Sequence, residues 1–331
     1  MYRKFYGLMR NPFEISPDPR FYYPTVRHNE ALANLCYGIQ KRKGFIVLTG
    51  QVGTGKTLLV HSLLDALRRS KIQHAYLFNP RLSADDFLRY VLSDLGLAVR
   101  SRSRAELLLD FNHYLVDLYR RGWTAALVID EAHLLSWDLL EEVRLLTNIE
   151  TSQDKLLQIV LVGQTELDTK LESDNLRQLK QRIALRCHLE PLTETEATGY
   201  IGRRLNTAGC PQTERIFRPE AVARVLAYAH GIPRTINTIC ESALIAGYAR
   251  QMRPIEAQVI EEVAADFHLK TAAEPANGKA AGTVASNDSE TELPDERTAL
   301  RMLARLFQVL ARDARHPSGP FARNQQGAKA E

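Results

Sequence analysis

Short apolar runs alternate with longer amphipathic stretches from the amino terminus to about residue 190. The runs are rich in β-branched side chains and have no polar face, which is typical of strands buried inside a parallel sheet. In the stretches between them, apolar residues recur every three or four positions, which predicts helices covering that sheet. The predicted strands are Phe45–Thr49, His74–Phe78, Ala125–Ile129, Leu157–Val162 and Cys187–Leu189, and the predicted helices are Leu58–Arg69, Ala84–Leu95, Ala105–Arg121 and Leu139–Ile149.

Beyond Leu192 the strand pattern stops and only helical periodicity continues. Glycine and proline residues separate the successive helical stretches, because both interrupt helices. A small all-helical domain attached to an α/β domain is therefore expected. Its predicted helices lie at about 194–208, 219–230, 234–250 and 256–268.

The composition changes after Thr271, where Ala, Ser, Gly, Asn and acidic residues replace the apolar pattern. Such a segment cannot bury a core, so a flexible linker is predicted over 269–296. Leucine and arginine then segregate onto different faces of a predicted helix over 297–315, which makes this helix amphipathic and basic. Residues 316–331 are predicted to form a disordered tail.

The composition of the 331-residue chain is that of an ordinary globular protein, with 45% hydrophobic and 25% charged residues. It excludes a wholly disordered chain, a collagen-like fibre and a disulfide-stapled miniprotein. The net charge of +4 permits an anionic partner without requiring one. The four cysteines are too scattered for a disulfide framework or a zinc site, and no stretch suits a signal peptide or a membrane span. A cytoplasmic protein is expected.

The most specific motif is GQVGTGKT over residues 50–57, which matches G-x-x-x-x-G-K-T between a predicted strand and a predicted helix. Its glycines let the backbone turn tightly and direct N–H groups at phosphate oxygens, and the following helix adds a favourable dipole. Lys56 is expected to reach the β- and γ-phosphates, and Thr57 to hold Mg²⁺. The predicted ligands are ATP and Mg²⁺, and the predicted binding residues are Gly50, Gln51, Val52, Gly53, Thr54, Gly55, Lys56, Thr57 and Leu58.

Two acidic residues follow the third predicted strand, as in a Walker B motif. Asp130 is expected to hold Mg²⁺ through water, together with Thr57, and Glu131 to polarise the attacking water as general base. Such a pair is weak evidence alone and strong evidence beside a phosphate-binding loop. The sequence DEAH at 130–133 also spells a helicase box, but helices follow where a helicase would have its second RecA-like half.

Three further polar residues have positions that suit catalysis. Gln164 follows the fourth predicted strand and would contact the γ-phosphate and the attacking water; the alternative is a simple turn residue. Arg182 precedes the last strand and would face outward, toward the nucleotide of a neighbouring subunit. Arg177 and Arg186 compete for this role, and the alternative for all three is an ordinary surface arginine. Arg234 opens a helix of the small domain and would reach back to the γ-phosphate, unless it too is a surface residue.

In this order, and with a helical lid last, these elements resemble the AAA+ ATPases over about residues 1–268. The resemblance implies an α/β P-loop NTPase fold with a five-stranded parallel sheet of order 5-1-4-3-2 and a small helical lid. It also implies a nucleotide between the two domains, expected at 45–191 and 192–268, and a homo-oligomer with an arginine finger in trans. In related NTPases such a finger raises the rate by roughly 10³–10⁵-fold.

The amino-terminal segment, residues 1–44, carries a further set of short motifs. They are Phe5-Tyr-Gly-Leu8, Asn11-Pro-Phe13, Pro17-Asp-Pro19, Phe21 and His28-x-Glu-Ala-Leu32, followed by Tyr37-Gly-Ile39 and Arg42-Lys-Gly-Phe45. Together they resemble the ExeA/GspA-type secretion ATPases, which are related to ATPases of MSHA-type pilus and exosortase systems. Phe5, Phe13, Phe21 and Tyr22 would then pack over the adenine pocket, the alternative being that they cover a sheet edge.

The resemblance implies an ATPase that energises or regulates assembly of a secretion, pilus or exopolysaccharide system, with an envelope protein as partner. ExeA itself continues through a transmembrane helix into a peptidoglycan-binding domain, and neither is seen here. The basic helix, at 297–312, is expected to replace that anchor on a partner or at the inner membrane, or else to fold back on the ATPase.

Two other functions remain open at this point. One is an ATP-gated, DNA-binding regulator of transposition of the TnsC/TniB kind. The modest basic charge and the lack of a DNA-reading module after the lid do not favour DNA binding, although contacts to the DNA backbone need only lysines and arginines. The other is a nucleotide-loaded scaffold that hydrolyses ATP very slowly.

Overall fold

The computed structural model describes residues 2–15, 18–99 and 103–271. The predicted helix over 297–315 and tail over 316–331 lie outside these residues, as does most of the predicted linker. The strands are β1 Phe45–Gly50, β2 Ile72–Leu77, β3 Thr124–Ile129, β4 Leu157–Val162 and β5 Ile183–Leu189. The helices are α1 Tyr2–Tyr6, α2 Val26–Gln40, α3 Lys56–Arg68, α4 Ala84–Asp94, α5 Arg104–Arg120, α6 Trp137–Leu146, α7 Thr165–Leu171, α8 Arg177–Lys180, α9 Glu194–Thr207, α10 Pro219–Ala229, α11 Pro233–Ala249 and α12 Ala257–Asp266. Of the helices described, none combines the length and the hydropathy needed to cross a bilayer.

The five strands form one parallel sheet in the order β2-β3-β4-β1-β5. Counted from the other edge this is the order 5-1-4-3-2, so the predicted fold class is confirmed. The first four strands closely match their predicted bounds, whereas β5 begins at Ile183 rather than at Cys187. It is an edge strand, and its first residues alternate between half-buried and exposed positions, so they form no apolar run.

Helices cover both faces of the sheet, because successive residues of a strand point to opposite sides. On one side Ile46 and Leu48 of β1 pack in a core with the apolar residues of α2 and α3. On the other side Phe45 and Val47 belong to a core with α4, α5, α6 and α7. The β1 strand is therefore buried on both faces, which explains its uninterrupted apolar sequence.

The chemistry-bearing residues lie at the carboxyl edge of this sheet. The GQVGTGKT loop follows β1, Asp130 follows β3 and Gln164 lies just beyond β4. Since β3, β4 and β1 are neighbours in the sheet, their carboxyl ends are adjacent. The topology thus brings together three segments that are distant in sequence, at the edge where ligands bind in open parallel sheets.

Helices α9 to α12 pack around a separate core, and the amino-terminal segment belongs to it. Tyr6, Phe13 and Phe21 are buried among the apolar residues of these helices. Phe13 contacts Phe217 edge-on, with ring centroids 6.1 Å apart. Residues 2–15 and 18–21 are therefore folded with the helical part of the chain, although the α/β part separates the two in sequence.

Arg204 of α9 is a buried polar link between the amino-terminal segment and the helical part. Its buried guanidinium donates hydrogen bonds to the carbonyl oxygen of Pro12, to that of Glu14 at 3.1 Å and to the Tyr200 hydroxyl at 2.8 Å. It also lies over the ring of Phe21, 4.7 Å from the centroid. A charge taken out of water needs such partners, so the position of the segment on α9 is strongly specified.

Candidate nucleotide-binding site

A cleft of about 370 Å³ lies between the carboxyl edge of the sheet and the helical part. It is lined by the loop residues 52–58 together with Glu131, Gln164 and Arg234. Aromatic and apolar side chains also line it, among them Phe21, Tyr22 and Leu192. A cleft with both kinds of lining suits a nucleotide, which has an anionic phosphate chain and an aromatic base.

The loop after β1 has the conformation that its glycines predict. Gly53 and Gly55 have φ angles of 83° and 101°, a region that residues with a Cβ rarely adopt. A Cβ atom on Gly53 would also lie 2.8 Å from the Cβ of Arg234. Helix α3 begins directly after the loop, at Lys56, so its unpaired N–H groups and its dipole face the cleft.

Lys56 holds this loop together from inside. Its ammonium group donates hydrogen bonds to the carbonyl oxygens of Gly50 at 2.8 Å and Gln51 at 2.7 Å. Burial lowers the pKa of Lys56, whereas the carboxylates of Glu131 and Asp130 act in the opposite direction. The ammonium is thus kept in the cleft, where an anionic ligand would meet it.

Asp130 and Thr57 provide a pair of oxygen donors. The Thr57 hydroxyl lies 3.3 Å from Oδ2 of Asp130, and the backbone N–H of Glu131 donates to Oδ1 at 2.9 Å. Burial raises the pKa of Asp130, and the neighbouring Glu131 carboxylate adds to that rise. A hydroxyl beside a carboxylate, close to a phosphate-binding loop, is a donor set that suits Mg²⁺. The residues present therefore fit this ion.

Tyr76 is a member of the site that the sequence analysis missed. It lies on β2, next to β3, and its hydroxyl donates to Oδ2 of Asp130 at 3.3 Å. The sequence offers one signal, a polar aromatic residue within an apolar strand. The prediction of that strand already accounts for this residue, so it is not assigned to the site. Tyr76 orients the carboxylate rather than extending the cleft.

Glu131 has a strained backbone and points into the cleft. Its φ of 51° is in the left-handed region, which is uncommon for residues other than glycine and recurs at functional sites. Its Oε2 atom lies 3.4 Å from Nδ1 of His133 and 3.5 Å from Nε2, the side-chain amide nitrogen, of Gln164. The Gln164 backbone N–H is also 3.5 Å from Nδ1 of His133. These three side chains form one polar cluster beside the loop.

Arg234 brings the helical part to the loop. It is the second residue of α11, and its backbone N–H lies 3.3 Å from the carbonyl oxygen of Gly53. Its side chain lines the same cleft as Lys56 and Glu131. Arg234 is therefore adjacent to the predicted phosphate site, on the element where the sequence analysis expected it.

The three arginines proposed for the finger role do not line this cleft. Arg182 lies between α8 and β5, half-buried, and donates hydrogen bonds of 2.6 Å to Thr147 and to Asn148. Arg186 is paired with Glu172 at 3.1 Å. Arg177 is exposed and has no ion pair or side-chain hydrogen bond within the described part of the chain. Arg182 is thus bound to its own α6–β4 connection rather than projecting freely.

The aromatic residues of the amino-terminal segment divide into two groups. Phe21 and Tyr22 line the cleft, as expected for residues beside a base. Phe5 and Phe13 do not: Phe13 packs on Phe217, and Phe5 packs on Tyr248 with ring centroids 5.7 Å apart. The expectation that all four would cover the pocket is therefore wrong for these two, because they are part of the helical core.

Comparison with known proteins agrees with this architecture. A family model described as an AAA domain matches residues 39–171. The chain therefore carries an AAA domain. The chain is also a homologue of general secretion pathway protein A from Aeromonas hydrophila, with 44% identity over 252 residues. This match covers 76% of the chain and 45% of the relative, so the chain spans about half of that protein's length.

Solved structures show the same fold for the AAA domain and the helices after it. The structure of Drosophila ORC bound to DNA has a TM-score of 0.60 at 19% identity, covering 81% of this chain and 66% of that one. The structure of the Aeropyrum pernix ORC2 protein has a TM-score of 0.55 at 17% identity, and the match covers 78% of this chain and 71% of that one. At such identities the likeness concerns the fold alone. Both resemblances predicted from the sequence, to AAA+ proteins and to the ExeA/GspA type, are confirmed.

Proposed function

We propose that the protein is a Mg²⁺-dependent ATPase that works as a homo-oligomer and energises or regulates assembly of a secretion, pilus or exopolysaccharide system. The observation that carries this proposal is the convergence of Lys56, Glu131, Gln164 and Arg234 on one cleft. Each comes from a different element, and together they supply the cation, the base and the polar contacts that phosphoryl transfer to water requires.

The residues of the cleft would bind the triphosphate by its anionic end. The N–H groups of the loop and of the first turn of α3 would donate hydrogen bonds to phosphate oxygens. Lys56 would exchange its bonds to the carbonyls of Gly50 and Gln51 for bonds to the β- and γ-phosphates. Thr57 and Asp130 would hold Mg²⁺. When bound there, this ion neutralises the charge that develops on the phosphates.

Glu131 would act as the general base. In this step a bond forms between the water oxygen and the γ-phosphorus, the bond to the β–γ bridging oxygen breaks, and the water proton passes to the Glu131 carboxylate. Gln164, within 3.5 Å of that carboxylate, would orient the water. Arg234 would contact the γ-phosphate and thereby link the position of the helical lid to the state of the nucleotide.

Oligomerisation would complete this site. Arg182, Arg177 and Arg186 do not line the cleft of their own chain, which is compatible with a finger that acts on a neighbour. We favour Arg182 for this role, and it would have to leave Thr147 and Asn148 to act. The similarity to a general secretion pathway protein supports a role in a secretion system. Within the proposal, the partner is an envelope protein and the chain works in the cytoplasm or peripherally at the inner membrane.

The test is the ATPase rate per subunit as a function of protein concentration, with and without duplex DNA. We expect a rate that rises with concentration, requires Mg²⁺ and does not respond to DNA, and Glu131→Gln should abolish it. A rate that stays near background until DNA is added would instead support a DNA-bound regulator of transposition. A rate near background under all conditions would contradict an ATPase.

A further inference from the structure

His28 lies against the phosphate-binding loop but belongs to none of its motifs. It is the third residue of α2, is 6% exposed and lines the cleft. Its Nε2 atom is 3.1 Å from the carbonyl oxygen of Thr54, and its Nδ1 atom is 2.7 Å from the Thr25 hydroxyl. The side chain therefore bridges the first turn of α2 and the tip of the loop.

The partners of the ring assign its proton. The Thr54 carbonyl can only accept, so Nε2 carries the hydrogen and donates it. Nδ1 then accepts from the Thr25 hydroxyl, whose oxygen in turn accepts the backbone N–H of His28 at 3.3 Å. Every polar atom of this buried arrangement has a partner, as a site of fixed geometry requires.

The bond to Thr54 controls a second group, the N–H of Gly55. The carbonyl of Thr54 and the N–H of Gly55 belong to one planar, trans peptide unit, so they point in opposite directions. Fixing the carbonyl on His28 therefore aims the Gly55 N–H away from His28. Gly55 needs this help because glycine at a φ of 101° has many alternative conformations.

We propose that His28 is a positioning residue that keeps the Thr54–Gly55 peptide oriented so that its N–H faces the phosphate chain of the nucleotide. This inference rests on the proposed function, because it assumes that the loop binds phosphate. His28 does not touch the reacting atoms. It acts through the loop backbone, and Thr25 fixes the tautomer that allows it to do so.

Two substitutions of similar size separate this role from a general contribution to folding. In His28→Gln the side-chain amide reaches the position of Nε2 and can still donate to Thr54. In His28→Asn the amide reaches only the position of Nδ1, so the bond to Thr25 is kept and the bond to Thr54 is lost. Cys36→Ala is the matched control, because it removes a buried side chain of the same helix that belongs to the core beneath the sheet.

The affinities for ATP and for inorganic triphosphate are measured by calorimetry, with melting temperature as the measure of stability. We expect His28→Asn to weaken the binding of both ligands by the same factor, about 5–13-fold, the upper part of the range expected for one hydrogen bond. The affinities of His28→Gln for both ligands should stay within about threefold of the wild-type values, which is the lower part of that range. Cys36→Ala should lower the melting temperature and leave both affinities unchanged.

Equal affinities for wild type and His28→Asn would overturn the proposal. The proposal would also be overturned if His28→Asn and His28→Gln lost the same amount of affinity, in proportion to their decrease in melting temperature. Hydrogen exchange of residues 50–58 in the free protein gives a readout without a ligand, and His28→Asn should accelerate it where His28→Gln does not. If the wild type bound neither ligand, the proposed function would fail, and the exchange data would still decide whether His28 anchors the loop.

Discussion

The hydroxyl oxygen of Thr57, in the first turn of α3, lies 3.3 Å from Oδ2 of Asp130, the residue that follows β3. This oxygen pair is held by Tyr76 and by the N–H of Glu131, which also donate to Asp130. Burial raises the pKa of this carboxyl group, so its ionised form costs stability until a cation offsets the charge. On the function proposed here, a divalent cation would offset this cost when it binds.

Asp130→Asn should therefore stabilise the metal-free protein at neutral pH and raise its melting temperature. The pKa of Asp130 is raised in the folded state, so more protons are bound there than in the unfolded chain. The cost of the carboxylate is thus complete above the folded pKa and vanishes below the unfolded pKa, near pH 4. Calorimetry with a chelator should show the gain at pH 7 and its loss toward pH 4. A gain independent of pH would contradict this assignment.

Lys56→Ala should weaken ATP binding by roughly 10–100-fold, because the triphosphate loses hydrogen bonds from a charged donor. Binding is measured by calorimetry. Lys71→Ala is the control, since this exposed lysine lies in the turn before β2 and should leave the affinity unchanged. Equal losses in the two variants would mean that net charge, and not the loop, determines binding.

Glu131→Gln should keep the affinity for ATP and lower the turnover by roughly 10²–10⁴-fold, because the amide cannot accept the proton of the attacking water. Phosphate release gives the rate, and light scattering gives the mass of the ATP-bound form. We expect the variant to accumulate assembled oligomer. If Glu131→Gln had wild-type turnover, Glu131 would not be the general base.

Arg182→Ala should bind ATP normally and lose most of its turnover, and mixing it with Glu131→Gln subunits should restore part of the rate. Restoration is expected because an intact cleft of one variant would meet an intact arginine of the other. The same mixtures made with Arg177→Ala and Arg186→Ala identify the finger if Arg182→Ala is fully active. The absence of restoration for all three would argue against a finger in trans.

Tyr22→Phe should stabilise the free protein by about 1 kcal/mol, because the buried Tyr22 hydroxyl has no hydrogen-bond partner among the described residues. The same burial raises the pKa of Tyr22 to about 12. Tyr6→Phe is the matched control and should be destabilising by a similar amount, since the Tyr6 hydroxyl donates to the Met252 carbonyl at 3.2 Å. The free energy of unfolding of both variants is measured with denaturant. A loss of stability in Tyr22→Phe would refute the prediction that its hydroxyl is buried without a partner.

The sequence predicts the parts of this fold in which local pattern and burial agree. The uniform apolar character of β1, β3 and β4 identifies them as central strands, and the motif after β1 identifies the loop. The start of β5 is not predicted, because the first residues of this edge strand alternate between half-buried and solvent-exposed positions and so form no apolar run. Lys56, Glu131, Gln164 and Arg234 are predictable as neighbours because they sit at the ends of predicted elements.

Contacts made by side chains over long sequence separations are not predictable in this way. Tyr76 and His28 belong to elements whose own patterns explain them fully, as a strand residue and as a helix residue. Their hydrogen bonds to Asp130 and to Thr54 depend on the tertiary packing of β2 and α2. For the same reason Phe13 carries no local sign that its partner is Phe217.

The packing of residues 2–15 and 18–21 on α9–α12 constrains the order in which this part of the chain can fold during synthesis. Those residues leave the ribosome before the α/β part, whereas α12, which helps to form their core, leaves near the end of the described residues. The α/β part is complete before then and can fold as a unit. Phe13 and its neighbours therefore lack part of their native core throughout that interval, and this core is complete only after translation has passed residue 266.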